Sequence, residues 1–152
     1  MAAAVIRNKE LVLERFCQRA QEGLHGARQA PHPVLVDTLP ALITRVAMAL
    51  RGDTHLEYAS QYSNIALQHG KERARFTQYS LAEVIREYQF LRELLVETLN
   101  DEMTPSADEL RVIHRSIDEA MAEAASDYVQ AHDEFREMFT AALTHDFREP
   151  LS

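Results

Sequence analysis

The segment from Ser106 to Glu149 constrains the fold of this chain most strongly, because it contains neither proline nor glycine. A helix over the whole segment would be roughly 65 Å long at about 1.5 Å per residue, which is longer than one small domain can cover. Apolar or small residues recur along it at steps of three and four, as in a heptad seam, with one stutter. The seam positions are Leu110, Ile113, Ile117, Met121, Ala124, Tyr128, Ala131, Phe135, Met138, Ala142 and His145. We expect the first half to pack on a domain and the second half to pair with the same helix of another subunit.

The rest of the chain is also predicted to be helical, because capping patterns stand where helices should begin. In a capping box, a Ser or Thr precedes a Glu by three residues and each satisfies a free amide of the other. Such boxes occur at Thr54–Glu57, Ser80–Glu83 and Ser106–Glu109. No segment has the alternating pattern of a strand, so the predicted class is all-α. The predicted helices cover about residues 4–28, 34–51, 54–75, 80–100 and 106–149.

Two helix breakers refine the second predicted helix. Pro40 lies inside it, so we expect the helix to restart after Asp37 or Thr38. Gly52 is expected to end it. The fourth helix is predicted to bury a stripe consisting of Val84, Ile85, Tyr88, Leu91, Leu94, Leu95 and Leu99.

Composition narrows the class of protein. The chain has 152 residues, enough for one domain with a sizeable core. A net charge of −8 argues against nucleic acid and against an anionic membrane surface as partners. The single cysteine, Cys17, permits no internal disulfide and is expected to be a core residue, which suits a reducing cytoplasm. No apolar run approaches the ~18 residues that would span a bilayer, so we expect no membrane segment.

The chain ends with His145-Asp146-Phe147-Arg148-Glu149-Pro150-Leu151-Ser152. A neutral imidazole nitrogen is a good nucleophile near pH 7, and an adjacent carboxylate can hydrogen-bond the ring or take its proton. This segment resembles the H-box of sensor histidine kinases of the HisKA type. The resemblance implies that His145 is the phosphoacceptor and that Asp146 is a possible acid or base partner. The alternative is a surface histidine near a helix end.

A second set of residues recurs at fixed offsets, namely His69-Gly70-x-x-Arg73, Tyr79-Ser80-Leu81 and Arg86-Glu87-Tyr88-x-x-Leu91-Arg92. They resemble the N-terminal sensor domain of the RsbR/RsbRD type, known from bacterial stressosome proteins and from the front of some histidine kinases. The resemblance implies a globin-like helical bundle that usually lacks haem and commonly dimerises. The chain departs from the pattern at Thr77-Gln78, where a glycine often precedes the Tyr-Ser pair.

Some polar residues of this second set admit two interpretations each. Glu87, Arg73 and Arg92 are expected to form an internal ion-pair network, and the alternative is that they line a ligand pocket. His69 is expected to be a helix-end residue next to Gly70, where its charge would suit the helix dipole. The alternative for His69 is a haem or metal ligand.

Together the two resemblances predict a globin-like sensor domain over residues 1–125 and, over 126–152, a signalling helix and the truncated start of a histidine-kinase dimerisation segment. The expected function is the cytoplasmic input domain of a dimeric sensor kinase. The two copies are expected to contact each other through the C-terminal helix, the sensor core or both. No cofactor is expected in this part. ATP and Mg would act in a separate catalytic domain, without which the chain should be inactive, and a response-regulator receiver domain would take the phosphoryl group.

Two alternatives from other classes stay open. One is a non-catalytic RsbR-like scaffold in stress signalling, whose dimer interface is its function. The other is a ligand-binding helical domain with an accidental His-Asp tail.

Overall fold

A computed structural model describes residues 1–29, 38–52, 68–75 and 79–148. These residues form helices and short connections and contain no strand, so the all-α prediction is confirmed for the part of the chain described. The globin-like arrangement stays a prediction. The helices are α1 (Ala2–Arg7), α2 (Lys9–Gly23), α3 (His25–Gln29), α4 (Leu39–Arg51), α5 (residues 68–75), α6 (Leu81–Glu102) and α7 (Ala107–Arg148).

Several predicted helix ends are confirmed by their capping contacts. The Ser80 hydroxyl accepts the amide of Glu83, and the Glu83 carboxylate accepts the amide of Ser80 at 2.9 Å. The same reciprocal pair joins Ser106 and Glu109 at the start of α7. Helix α4 begins directly after Thr38 and is capped at its C-terminal end by Gly52, whose φ of 75° is favourable for glycine. The capping box at Thr54–Glu57 and the predicted helix start near Val34 lie outside the described residues.

The first predicted helix was wrong as a single element, because it is divided into three. At Asn8 the backbone departs from regular helix, with φ −90° and ψ 3°, and the Ala4 carbonyl accepts both the backbone amide of Asn8 at 3.0 Å and its side-chain amide at 2.9 Å. At Leu24 the backbone is extended, with φ −120° and ψ 129°, and the side chain is buried. The amide of Gly26, just after this break, donates to the Glu83 carboxylate at 2.9 Å. A tertiary contact thus fixes a turn that local pattern did not indicate.

The core lies where α6 packs against α2 and α7, and where α4 packs against α1 and α7. The predicted stripe of α6 is buried except for Ile85, which is half-buried. Each fully buried Leu, Ile or Phe contributes about 1.5–3 kcal/mol relative to an exposed one. The core also contains Cys17, as predicted, which is free and whose pKa burial raises.

Helix α7 is continuous over 42 residues and changes its surroundings midway. The seam positions Ile113, Ile117, Ala124, Tyr128 and Ala131 are buried against the rest of the chain. From residue 132 to residue 147 every side chain is exposed. The prediction that the first half of this helix packs on the domain is therefore confirmed, and burial ends after Ala131. Of the helices described, none combines the length and the apolar character needed to cross a bilayer.

Candidate functional site

His145 lies near the end of the exposed part of α7, well beyond the last buried residue of that helix. The exposed surface beside His145 combines polar side chains, among them Arg136, Thr140 and Thr144, with the methyl group of Ala141. The neighbouring Asp146 is also exposed. Successive side chains of a helix point about 100° apart, and within the described residues no hydrogen bond joins this pair. The predicted roles of His145 and Asp146 stay predictions.

A second group of polar residues is buried where α4, α5 and α6 meet. Its centre is Glu87 of α6, which is fully buried. One Glu87 oxygen lies 2.8 Å from His69 Nε2, and the other accepts the Tyr79 hydroxyl at 2.6 Å. The Arg73 Nε–H donates to both carboxylate oxygens, at 3.1 and 3.2 Å. We call Thr38, His69, Arg73, Tyr79 and Glu87 the buried cluster.

The fifth member, Thr38, completes the bonding of the imidazole. Its hydroxyl lies 2.7 Å from His69 Nδ1, while His69 Nε2 faces Glu87. A carboxylate can only accept, so His69 Nε2–H donates to Glu87, and which of Thr38 and Nδ1 donates depends on the position of the ring proton. Hydrogen bonds and an opposite charge beside Glu87 are the conditions under which burial of its charge is tolerated.

The electrostatics of the cluster follow from its burial and its donors. Burial alone raises the pKa of Glu87, but the nearby His69, Arg73 and Tyr79 outweigh it and hold that pKa below its usual range. Burial first, and then the charge of Glu87, raise the pKa of the Tyr79 phenol well above its usual range. Tyr79 therefore stays protonated and acts as a donor to an ionised Glu87.

The cluster is connected to α7 through two tyrosines. The Tyr128 hydroxyl of α7 donates to the backbone carbonyl of Tyr79 at 2.6 Å, and both residues are buried. Next to it in α7, Asp127 is buried, and its Oδ2 has no hydrogen-bond partner within the part of the chain that the structure describes. Burial raises the pKa of Asp127, and Lys71 opposes this effect. The last buried turn of α7 thus contains one well-bonded and one poorly bonded polar residue.

The predicted ion-pair network holds for Arg73 and Glu87 but was wrong for Arg92. Arg92 instead pairs with Asp118 of α7 at 2.8 Å, near the surface. It follows Glu87 by five residues in α6, so the two side chains point about 140° apart around the helix. Spacing along the sequence placed them in one motif, but helical geometry separates them.

The expectation that His69 stands at the C-terminal end of its helix was wrong, because the helix continues through residue 75 and the His69 side chain is fully buried. Both ring nitrogens have protein partners, so the ring does not fit a haem or metal ligand. Among the residues that the structure describes, no cluster of side chains could hold a metal ion.

Four members of this arrangement were not anticipated as polar partners. Thr38 was expected only as a helix start and Tyr128 only as an apolar seam position, while His69 and Tyr79 were not expected to bond to Glu87. The one available signal was that Tyr128 places a hydroxyl among small and apolar seam residues, where a buried phenol usually needs an acceptor. No family model, curated protein or solved structure matches this chain.

Proposed function

We propose that this chain is the input domain of a dimeric sensor histidine kinase in which His145 accepts the phosphoryl group. The observation that carries the proposal is that the H-box-like histidine stands on a helical extension with both flanks open to solvent. A phosphoacceptor must reach two partners in turn, a nucleotide-bound domain and then a receiver domain. An exposed histidine on a projecting helix satisfies this requirement.

The proposed reaction uses few groups of this chain. A neutral imidazole nitrogen of His145 attacks the γ-phosphorus of ATP, the bond from that phosphorus to the bridging oxygen breaks, and ADP leaves. The ring then loses its N–H proton, for which Asp146 is the nearest carboxylate in sequence. Mg²⁺, held with ATP in a separate catalytic domain, would neutralise the phosphate charge. An aspartate of a response regulator would take the phosphoryl group in the second step.

The exposed part of α7 supports the dimeric state that we propose. Its seam side chains are unusually accessible for a monomer, with Phe135 47% exposed and Met138 68% exposed. Apolar side chains repeated along one projecting helix are typical of a surface that another helix covers. In the proposed kinase, the covering helix belongs to the second subunit, and the location is cytoplasmic.

The test is phosphorylation of the parent protein with γ-labelled ATP. We expect an acid-labile, alkali-stable label that disappears in the His145→Ala variant. The control is His114→Ala, because His114 is also an exposed histidine of α7 and should leave the label intact. A label that survives His145→Ala, or no label from a parent that binds ATP, would reject the proposal.

The second candidate is the RsbR-like scaffold, which rests on the resemblance of the core. Half of the polar residues that carry this resemblance, namely His69, Arg73, Tyr79 and Glu87, converge in one buried cluster. That convergence supports the core resemblance, which the two candidates share. The coding sequence after Ser152 distinguishes them, since a kinase predicts a second helix and glycine-rich nucleotide boxes, whereas a scaffold predicts a STAS-like β/α pattern.

A further inference from the structure

The point at which α7 leaves the core is unusually well defined. The inward face of α7 is buried as far as Ala131, and residues 132–147 are exposed on every side. Within the described residues, the Tyr128 hydroxyl makes the last side-chain hydrogen bond from α7 to another element. Beyond it, the side-chain hydrogen bonds of α7 remain within the helix, from Gln130 to Glu134 and from Thr144 to Thr140.

The acceptor of that bond belongs to a residue that is itself held by the buried cluster. Tyr79 donates its own hydroxyl to Glu87 at 2.6 Å, and its ring lies 5.0 Å from the Arg73 guanidinium carbon. The position of the Tyr79 carbonyl therefore depends on the Tyr79 side chain being anchored. Tyr79 thus links Tyr128 to the buried cluster, because its carbonyl contacts Tyr128 and its hydroxyl contacts Glu87.

The same turn of α7 is also in direct backbone contact with α5. Gly70 of α5 lies so close to α7 that a Cβ atom at this position would overlap the carbonyl oxygen of Ala124 and stand 3.0 Å from the Tyr128 amide nitrogen. His69 and Arg73 of the cluster flank Gly70 in the same helix. A shift of α5 would consequently act on the cluster and on α7 together.

The docked state of this turn is opposed by its neighbour. Asp127 is buried, and among the described residues its Oδ2 finds no hydrogen-bond partner. An unsatisfied buried carboxylate oxygen favours a state in which water can reach it. The Tyr128 hydrogen bond and the contact with Gly70 thus hold this turn against one unfavourable burial, which is the balance expected of an element that can open.

We propose that Tyr128 is a latch that holds α7 at its exit from the core, and that the buried cluster sets this latch through Tyr79. Opening the latch frees residues 124–147 to turn or shift relative to the core, and closing it fixes their direction. The proposal concerns how α7 is held. It stands or falls independently of whether His145 accepts a phosphoryl group.

Hydrogen exchange of the whole chain, followed by mass spectrometry of its peptides, tests the latch. Tyr128→Phe should make amides 120–131 exchange about fivefold faster, the effect of losing one hydrogen bond. Tyr79→Phe should do the same although it leaves the Tyr79 carbonyl in place. The double variant should exchange no faster than Tyr128→Phe alone, because both changes open one latch.

Tyr88→Phe is the matched control. Tyr88 is buried beside the cluster, with its ring 5.4 Å from that of His69, but its hydroxyl is not part of the series of bonds. Unchanged exchange in α2 shows that each variant keeps its fold. Glu87→Asp shortens the side chain that anchors Tyr79 and should therefore also accelerate the exchange of amides 120–131. The proposal is overturned if Tyr79→Phe and Glu87→Asp leave amides 120–131 unaffected. It is also overturned if Tyr88→Phe accelerates the exchange of these amides equally. The same holds if the rate increases of Tyr128→Phe and Tyr79→Phe multiply in the double variant.

Discussion

At the scale of single residues, the buried carboxylate of Glu87 makes the core sensitive to substitution of its polar members. The fold removes it from water completely and supplies donors from His69, Arg73 and Tyr79. Buried ion pairs add little over an apolar replacement of the whole set, but removing one partner leaves the other charge uncompensated. The cluster is therefore sensitive to single substitutions rather than intrinsically strong.

Glu87→Gln is expected to lower the free energy of unfolding by about 3 kcal/mol, because it removes the carboxylate charge from its fully buried contacts with Arg73 and His69. Urea denaturation measures the loss. The control is Glu93→Gln in the same helix, since Glu93 pairs with Arg19 in an exposed salt bridge at 2.7 Å. That exposed pair should contribute less than about 1 kcal/mol. Equal losses in the two variants would mean that the buried Glu87 carboxylate contributes no more to stability than an exposed carboxylate.

The same residue predicts a pH dependence. The pKa of Glu87 is lower in the folded chain than in the unfolded chain, where it is about 4.3. The stabilisation by its ionised form is therefore complete above about pH 5 and is lost as the pH falls through the folded pKa. The stability difference between wild type and Glu87→Gln should stay constant from neutral pH to about pH 5 and narrow below about pH 4. A difference that widens in acid would contradict the sign.

The sequence predicted part of this residue-level arrangement. The fixed offsets among polar residues indicated a network that contains Arg73 and Glu87, because recurring polar positions in an apolar helix usually find internal partners. They did not indicate that Thr38 meets His69, since that contact depends on how α4 and α5 sit against each other. They also included Arg92, which the helical rotation from Glu87 carries to another face.

At the scale of helices, the cluster depends on a close contact between the backbones of α5 and α7. Gly70 lets the two backbones touch at Ala124, which places His69 and Arg73 within reach of Glu87. Capping residues predicted where α6 and α7 begin, because their hydrogen bonds are local. The division of the first helix at Leu24 was not predictable in this way, since the Gly26–Glu83 contact that accompanies it is tertiary.

Gly70→Ala is expected to reduce the free energy of unfolding by about 1–3 kcal/mol, as overpacking of a close contact does, even though alanine favours helix. Thermal unfolding measures the change. Gly23→Ala is the matched control, because its added methyl would meet only the ring of Phe90, at 3.1 Å, which is a side chain that can move. If the two variants unfold alike, the backbone contact between α5 and α7 is looser than described.

At the scale of the whole molecule, one continuous helix belongs to two environments. The heptad seam predicted both the length of α7 and the burial of its first half, because apolar spacing and the absence of breakers are visible in the sequence. The point at which burial ends, after Ala131, was not visible, since the seam continues unchanged beyond it. Where a helix leaves its domain depends on what the other helices cover.

The exposed continuation of the seam makes the last prediction. If a second copy covers it, Met138→Glu should weaken self-association of the chain at least tenfold, because it places a charge in the proposed apolar contact. Leu143→Glu is the control, since Leu143 is also exposed and apolar but lies off the seam. Sedimentation equilibrium over a range of concentrations compares the two. A larger effect from Leu143→Glu would place the contact on a different face, and a wild-type chain that stays monomeric throughout would reject the proposed dimer.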